Sequence, residues 1–157
     1  MQPKEFVFKE TTVIPAPLQE VFAFFSKPEN LQRLTPEFLR FRIVSIPPEI
    51  KPGARIEYRL RIHRFPVKWL TEITVWEPPH RFVDTQLKGP YRKWVHEHRF
   101  EALDGSTRMT DTVQYQLPLG ILGHLAHRLY VRKDIETIFQ YRREVIQKYF
   151  SSERGRL

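Results

Sequence analysis

The chain has 157 residues, enough for one domain with a sizeable core, and its 41% hydrophobic and 28% charged residues are those of a soluble globular protein. It has no cysteine, which excludes disulfides and thiolate chemistry, and no apolar run long enough to span a membrane. The net charge of +8 is compatible with nucleic acid or a membrane surface, but the basic residues are spread along the chain without a basic tail, so a solvated basic surface is the plainer reading.

The opening MQPKEFVFKE lacks the charged-then-apolar layout of a secretory signal, so a cytoplasmic location is expected. Glu5 to Ile14 alternates as a first strand. Pro17 suits the first turn of a helix that carries Leu18, Val21, Phe22 and Phe25 at helical spacing. Ser26-Lys27-Pro28-Glu29 opens a second short helix, with Leu31 and Leu34 as its buried side. Phe41 to Ile46 is a short strand. Arg55 to His63 alternates strictly, with Ile56, Tyr58, Leu60 and Ile62 inward and Arg55, Glu57, Arg59 and Arg61 outward. Val67 to Trp76 follows, with Val67, Trp69, Thr71, Ile73 and Val75 placed inward and Leu70 and Trp76 on the other parity. Phe82 to Lys88 is the next strand, broken by Gly89-Pro90.

Trp94 to Tyr115 is the most informative stretch. Two alternating runs flank Asp104-Gly105, a dipeptide that accepts the positive φ of a tight hairpin turn. That turn sets Phe100 opposite Met109, His98 opposite Asp111 and His96 opposite Val113. Trp94, His96, His98 and Phe100 share the inward face with Met109, Asp111, Val113 and Tyr115. A connection around Pro90 then brings Gln86 near Trp94 and Asp84 near His96. After Leu117-Pro118 the period changes to about 3.6. Leu122, Leu125, Leu129, Ile135, Ile138, Val145, Ile146 and Tyr149 form one apolar stripe on a helix of roughly eight turns, frayed over the final SSERGRL. No repeat or linker divides the chain, so residues 1–157 are expected to form one domain. A curved antiparallel sheet covered by a long amphipathic helix leaves a wedge suited to a small ligand.

Four stretches carry a resemblance: TTVIPAPLQEVFAFFSKPENLQRLTP, ITVWEPPHRFVD, GPYRKWVHEHRF and GSTRMTDTVQYQLPLG. In this order, with a long helix to follow, the chain resembles the START and Bet v 1-like superfamily. That superfamily includes polyketide cyclase/dehydrase-like and coenzyme Q-binding proteins among the SRPBCC ligand-binding proteins. The resemblance implies an α+β helix-grip fold: a curved antiparallel sheet wrapped around a long C-terminal helix, with two short helices after the first strand. It also implies a hydrophobic cavity for lipids, polyketides or similar apolar molecules. Some members catalyse cyclisation or dehydration and many only bind or carry, so it does not decide whether the chain is an enzyme. It transfers no catalytic residue.

The inward His98–Asp111 pair, with His96 beside it, has three readings. One is a satisfied polar network that stiffens the hairpin. A second is acid–base chemistry or ligand recognition, because an adjacent carboxylate favours imidazolium and orients the ring. The third is a metal site completed by Asp111 or Asp84, against which stands the lack of a fourth ligand. His98 and Asp111 are the catalytic candidates. Tyr58, Trp69, Asp84, Gln86, Trp94, His96, Phe100, Met109 and Tyr115 are the candidate ligand contacts. The expected partner is a small hydrophobic molecule. No cofactor, nucleic-acid contact or stable membrane insertion is expected, and oligomeric state is not legible. Gly120 and Gly123 either end the last strand or let the helix start flex. Outward Arg55, Arg59, Arg61 and Arg99 make a basic stripe, but the aromatics that nucleic-acid binding would want lie on the other face.

Overall fold

The computed structural model describes residues 3–154. Seven strands, β1 (Glu5–Ile14), β2 (Arg42–Ser45), β3 (Arg55–Ile62), β4 (Phe65–Glu77), β5 (Arg81–Lys88), β6 (Lys93–Ala102) and β7 (Thr107–Gln116), form one antiparallel sheet in the order β1-β7-β6-β5-β4-β3-β2. Strands β2 to β7 are a meander, and β1 returns to pair with β7. Between β1 and β2 lie the short helices α1 (Leu18–Phe25) and α2 (Asn30–Arg33) and a 3₁₀ turn (Glu37–Leu39). Pro17 sits just outside α1 as its N-cap, in extended conformation. This is the expected helix-grip architecture. SSERGRL is helical through Arg154; residues 155–157, the rest of the stretch expected to fray, lie outside the described residues.

The central hairpin has the register that its turn dictates: Phe100 opposite Met109, His98 opposite Asp111 and His96 opposite Val113. Gly105 takes φ +69 in the turn, a conformation that side chains with a Cβ disfavour. Asp84 pairs with His96 across β5 and β6, also as expected. Phe100, Met109 and Val113 are buried almost completely, so the inward face of this hairpin anchors the core.

Two expectations fail for identifiable reasons. Strict alternation places Val75 inward and Trp76 outward. In the structure the β4–β5 register shifts between Ile73 and Val75, so an extra residue reverses the parity beyond it. Trp76 therefore faces the interior, where its ring lies 5.3 Å from Phe22 and 5.6 Å from Phe82.

The long helix is also not one uninterrupted stripe. It runs as α3 (Gly120–Ala126), a π-helical turn (His127–Val131) and α4 (Arg132–Arg154). The wider turn changes the phase of the side chains that precede it. Leu122 and Leu125 before the turn, and Leu129 within it, are exposed rather than buried. His124 and His127 face the sheet in their place: His127 stacks on Phe6 at 3.7 Å and His124 meets the same ring edge-on at 5.9 Å. Ile135, Phe139, Ile146 and Phe150 form the buried face of α4. Gly123 lies so close to the end of β7 that an added Cβ would fall 2.3 Å from the Pro118 carbonyl oxygen. Gly123 lies inside α3 and lets the helix pack closely on the Leu117-Pro118 segment, a role that neither alternative named.

Candidate functional site

The sheet curves away from α4 and leaves a cavity of about 370 Å³, walled by β3 to β6, the segment from Phe25 to Phe41, and α4. Aromatic side chains make up much of its wall. Tyr58 stacks on Trp69 at 5.7 Å, and Trp69 meets Trp94 edge-on at 5.4 Å and Tyr91 at 5.7 Å. Strand alternation aims Tyr58, Leu60, Trp69 and Trp94 to one side of the pleat, and the right-handed coil of the sheet brings them together. The exposed residues Lys27, Phe38, His63 and Arg64 mark the rim.

One wall is polar. Asp84, His96, His98 and Asp111 come from the adjacent strands β5, β6 and β7 and form a continuous network. His96 Nε2 lies 2.7 Å from Asp111 Oδ1, and His98 Nε2 lies 2.8 Å from Asp84 Oδ2. His98 Nδ1 is 3.1 Å from the same Asp111 oxygen but off the line that a hydrogen bond needs, so it is a close charge contact. His96 Nδ1 stands 3.8 Å from Asp84 Oδ2. The imidazoles overlap with centroids 3.8 Å apart, and Phe82 stacks on His98 at 4.1 Å. His96, His98 and Asp111 are buried; Asp84 is the most open member, with 18% of its side chain exposed.

Burial and charge oppose each other within this network. Burial is the largest single influence on His98 and disfavours its charged form, but its two carboxylate neighbours together outweigh it and hold the imidazole above its ordinary value. For His96 burial is again first, the charge of His98 adds to it, and the net shift is downward despite Asp111. Burial would raise both carboxyls. The histidines reverse this, leaving Asp84 below the usual carboxylate range and Asp111 far below it. The network therefore favours the carboxylate form of both acids, the charged form of His98 and the neutral form of His96.

Asp84, His96 and His98 also offer donor atoms that all lie within 4.8 Å of one another. They fit a zinc ion less well than they fit each other. Ligand atoms around a tetrahedral zinc sit roughly 3.4 Å apart for bonds of about 2.1 Å. His98 Nε2 and Asp84 Oδ2 have closed to 2.8 Å, a hydrogen-bond distance.

The structure brings Tyr58, Trp69, Asp84, Trp94, His96 and His98 to the cavity wall. The other candidates lie behind it. Phe100 and Met109 sit in the core beneath α1. Tyr115 packs near Phe6, with its hydroxyl 2.8 Å from His127 Nε2. Asp111 supports both histidines from below, and Gln86 donates from Nε2 to the Tyr91 carbonyl at 2.7 Å.

Sequence reasoning missed Arg142, Tyr91 and Phe139, all on the cavity wall. For Arg142 the signal was present: it falls seven residues after Ile135 and four before Ile146, on the buried face of α4. Arg142 is only 9% exposed and its Nε is enclosed without a partner. Its guanidinium lies over the Phe139 ring at 4.9 Å. Trp69 Nε1 is likewise enclosed without a partner.

The model of the family described as polyketide cyclase/dehydrase and lipid transport matches residues 14–136. No curated protein matches the sequence. Among solved structures, the ZhuI aromatase/cyclase from Streptomyces sp. R1128 is similar with a TM-score of 0.75 at 13% identity, over 94% of each chain. TTHA0849 from Thermus thermophilus is similar with a TM-score of 0.66 at 22% identity, over 90% of this chain and 97% of that one. Norcoclaurine synthase from Thalictrum flavum, a point mutant in complex with a transition-state analogue, has a TM-score of 0.68 at 10% identity, over 95% of this chain and 98% of that one. These likenesses are of fold.

Proposed function

The chain belongs to the polyketide cyclase/dehydrase and lipid transport family, and on that premise we propose that it binds a small hydrophobic or aromatic molecule, a lipid, a polyketide or similar, between the sheet and the C-terminal helix. The observation that carries this reading is the cavity itself. Its volume of about 370 Å³ lies in the range of small-molecule sites, and its walls join an aromatic lining to a few convergent polar groups. Trp69 and Trp94 supply rigid contact area, and Asp84, His96 and His98 supply polar orientation.

A second reading is acid–base catalysis, favoured by the charge state of the network. His98 is clamped between Asp84 and Asp111, which stabilise its imidazolium; with both ring nitrogens facing carboxylates, a proton reaches a ligand carbonyl through Asp84, the more open acid, which is recharged from His98 Nε2.

Titration with aromatic and aliphatic probes, followed by tryptophan fluorescence, tests the binding reading. Saturable one-to-one quenching is expected, and it should be lost when Ile138→Trp fills the cavity. Quenching of the same size and affinity in that variant would place the ligand elsewhere and end the proposal. For the second reading, His98→Gln should leave binding intact and abolish turnover of any substrate found; unchanged turnover would refute it.

A further inference from the structure

Among the described residues of the cavity wall, Arg142 is the buried charge that makes no ion pair, whereas Lys27 and Arg64 are exposed at the rim. It projects from α4 into the space between helix and sheet, and it is nine-tenths buried. Among the described residues it makes no hydrogen bond and no ion pair; its direct contact is the face of Phe139. A buried guanidinium carries five donors and cannot shed its proton, so leaving it unpaired is costly. A side chain kept in this position without a protein partner is waiting for one from outside. Tyr58 faces the same cavity, and its hydroxyl forms no hydrogen bond with a described residue. Asp84 and Arg142 both act electrostatically on that hydroxyl, which places it in the field of the guanidinium. The acids that feel the charge of Arg142, Asp84 and Glu10, are committed to other partners, Asp84 to His98 at 2.8 Å and Glu10 to Arg143 at 2.7 Å.

We propose that the occupant of the cavity is an amphipathic acid, whose carboxylate is received by the fork of Arg142 and whose apolar body lies against Tyr58, Trp69, Trp94 and Ile138. The planar guanidinium matches a carboxylate in shape as well as in charge. The rim is consistent with an anionic ligand: Lys27 and Arg64 stand there, and neither is in an ion pair with a described residue. This inference rests on the proposal that the cavity binds small apolar molecules and adds the chemistry of the head group.

The test uses two matched pairs, naphthoic acid with naphthalenemethanol and dodecanoic acid with dodecanol, titrated into the native 157-residue chain and into Arg142→Met and Arg142→Lys. In the native protein the better-binding acid should bind at least tenfold more tightly than its alcohol, equivalent to about 1.4 kcal/mol. Arg142→Met should bring the acid to the level of the alcohol and leave the alcohol unchanged, while Arg142→Lys keeps part of the preference. A purely structural arginine would shift acid and alcohol together. Equal affinity for acid and alcohol in the native protein overturns the inference and leaves the cavity reading standing, and so does an acid preference that survives Arg142→Met. If neither member of either pair binds, both readings fall. Should Arg142→Met not fold, the native comparison and Arg142→Lys decide the matter alone.

Discussion

Asp111 is the keystone of the polar network, and its removal has a calculable consequence. One oxygen, Oδ1, faces His96 Nε2 at 2.7 Å and His98 Nδ1 at 3.1 Å, in a position only 5% exposed. Asp111→Ala deletes the carboxylate shared by both rings and leaves His98 charged with only Asp84, which is partly open to solvent. Breaking a buried pair by removing one partner costs about 3–5 kcal/mol, because the remaining charge loses its compensation without regaining water. For a chain of this size each kcal/mol lowers Tm by about 2–4 °C, so the loss should be roughly 6–20 °C. Asp84→Ala should cost less, since Asp84 is the more exposed acid and His98 would retain Asp111. Urea unfolding followed by tryptophan fluorescence measures both variants, with circular dichroism confirming the fold. A loss below about 1 kcal/mol for Asp111→Ala, the range of an exposed pair, would refute the buried charge network. So would a larger loss for Asp84→Ala.

The two histidines should pull stability in opposite directions with pH. His98 is held above its unfolded value near 6.5, so its contribution is complete below about pH 6.5 and is lost as pH rises through the folded value. His96 is held below its unfolded value, so its contribution is lost as pH falls below about 6.5. His127 is also held down, by burial first and then by nearby cations, so the test removes both: in His96→Gln/His127→Gln the opposing titrations are gone, and stability should be higher at about pH 6 than at about pH 8; the reverse order in denaturant unfolding would contradict a charged His98. The register shift in β4 makes a separate prediction. Trp76→Ala, which empties a place beside Phe22 and Phe82, should cost about 2–4 kcal/mol, and Val75→Ala under about 1.5 kcal/mol. Equal losses would mean that the parity never reverses.

The candidate site was half legible in the sequence, for reasons of period and register. Strand alternation has a period of two, and the Asp104-Gly105 turn sets register without reference to the rest of the fold. His98 opposite Asp111 therefore follows from local chemistry, and a short connection at Pro90 extends it to Asp84 beside His96. Pairing on the strands does not decide which side-chain atoms bond. His98 takes Asp84 as its hydrogen-bond partner, and His96 takes Asp111. Those choices depend on rotamers selected by neighbours such as Phe82, which stacks on His98.

Alternation and helical spacing by themselves determined the strand order of the meander, the inward face of the central hairpin and the presence of a long covering helix. These patterns record which side of each element is apolar, and burial of that side drives folding. Only the tertiary structure decided three further points. It inserted an extra residue in β4 and turned Trp76 inward, and it widened one turn of the long helix and exposed Leu122, Leu125 and Leu129. It also set Arg142 opposite the aromatic wall. The last depends on how far the sheet curls before it meets the helix. That distance is a sum of small twists over seven strands, and no local stretch of sequence contains it.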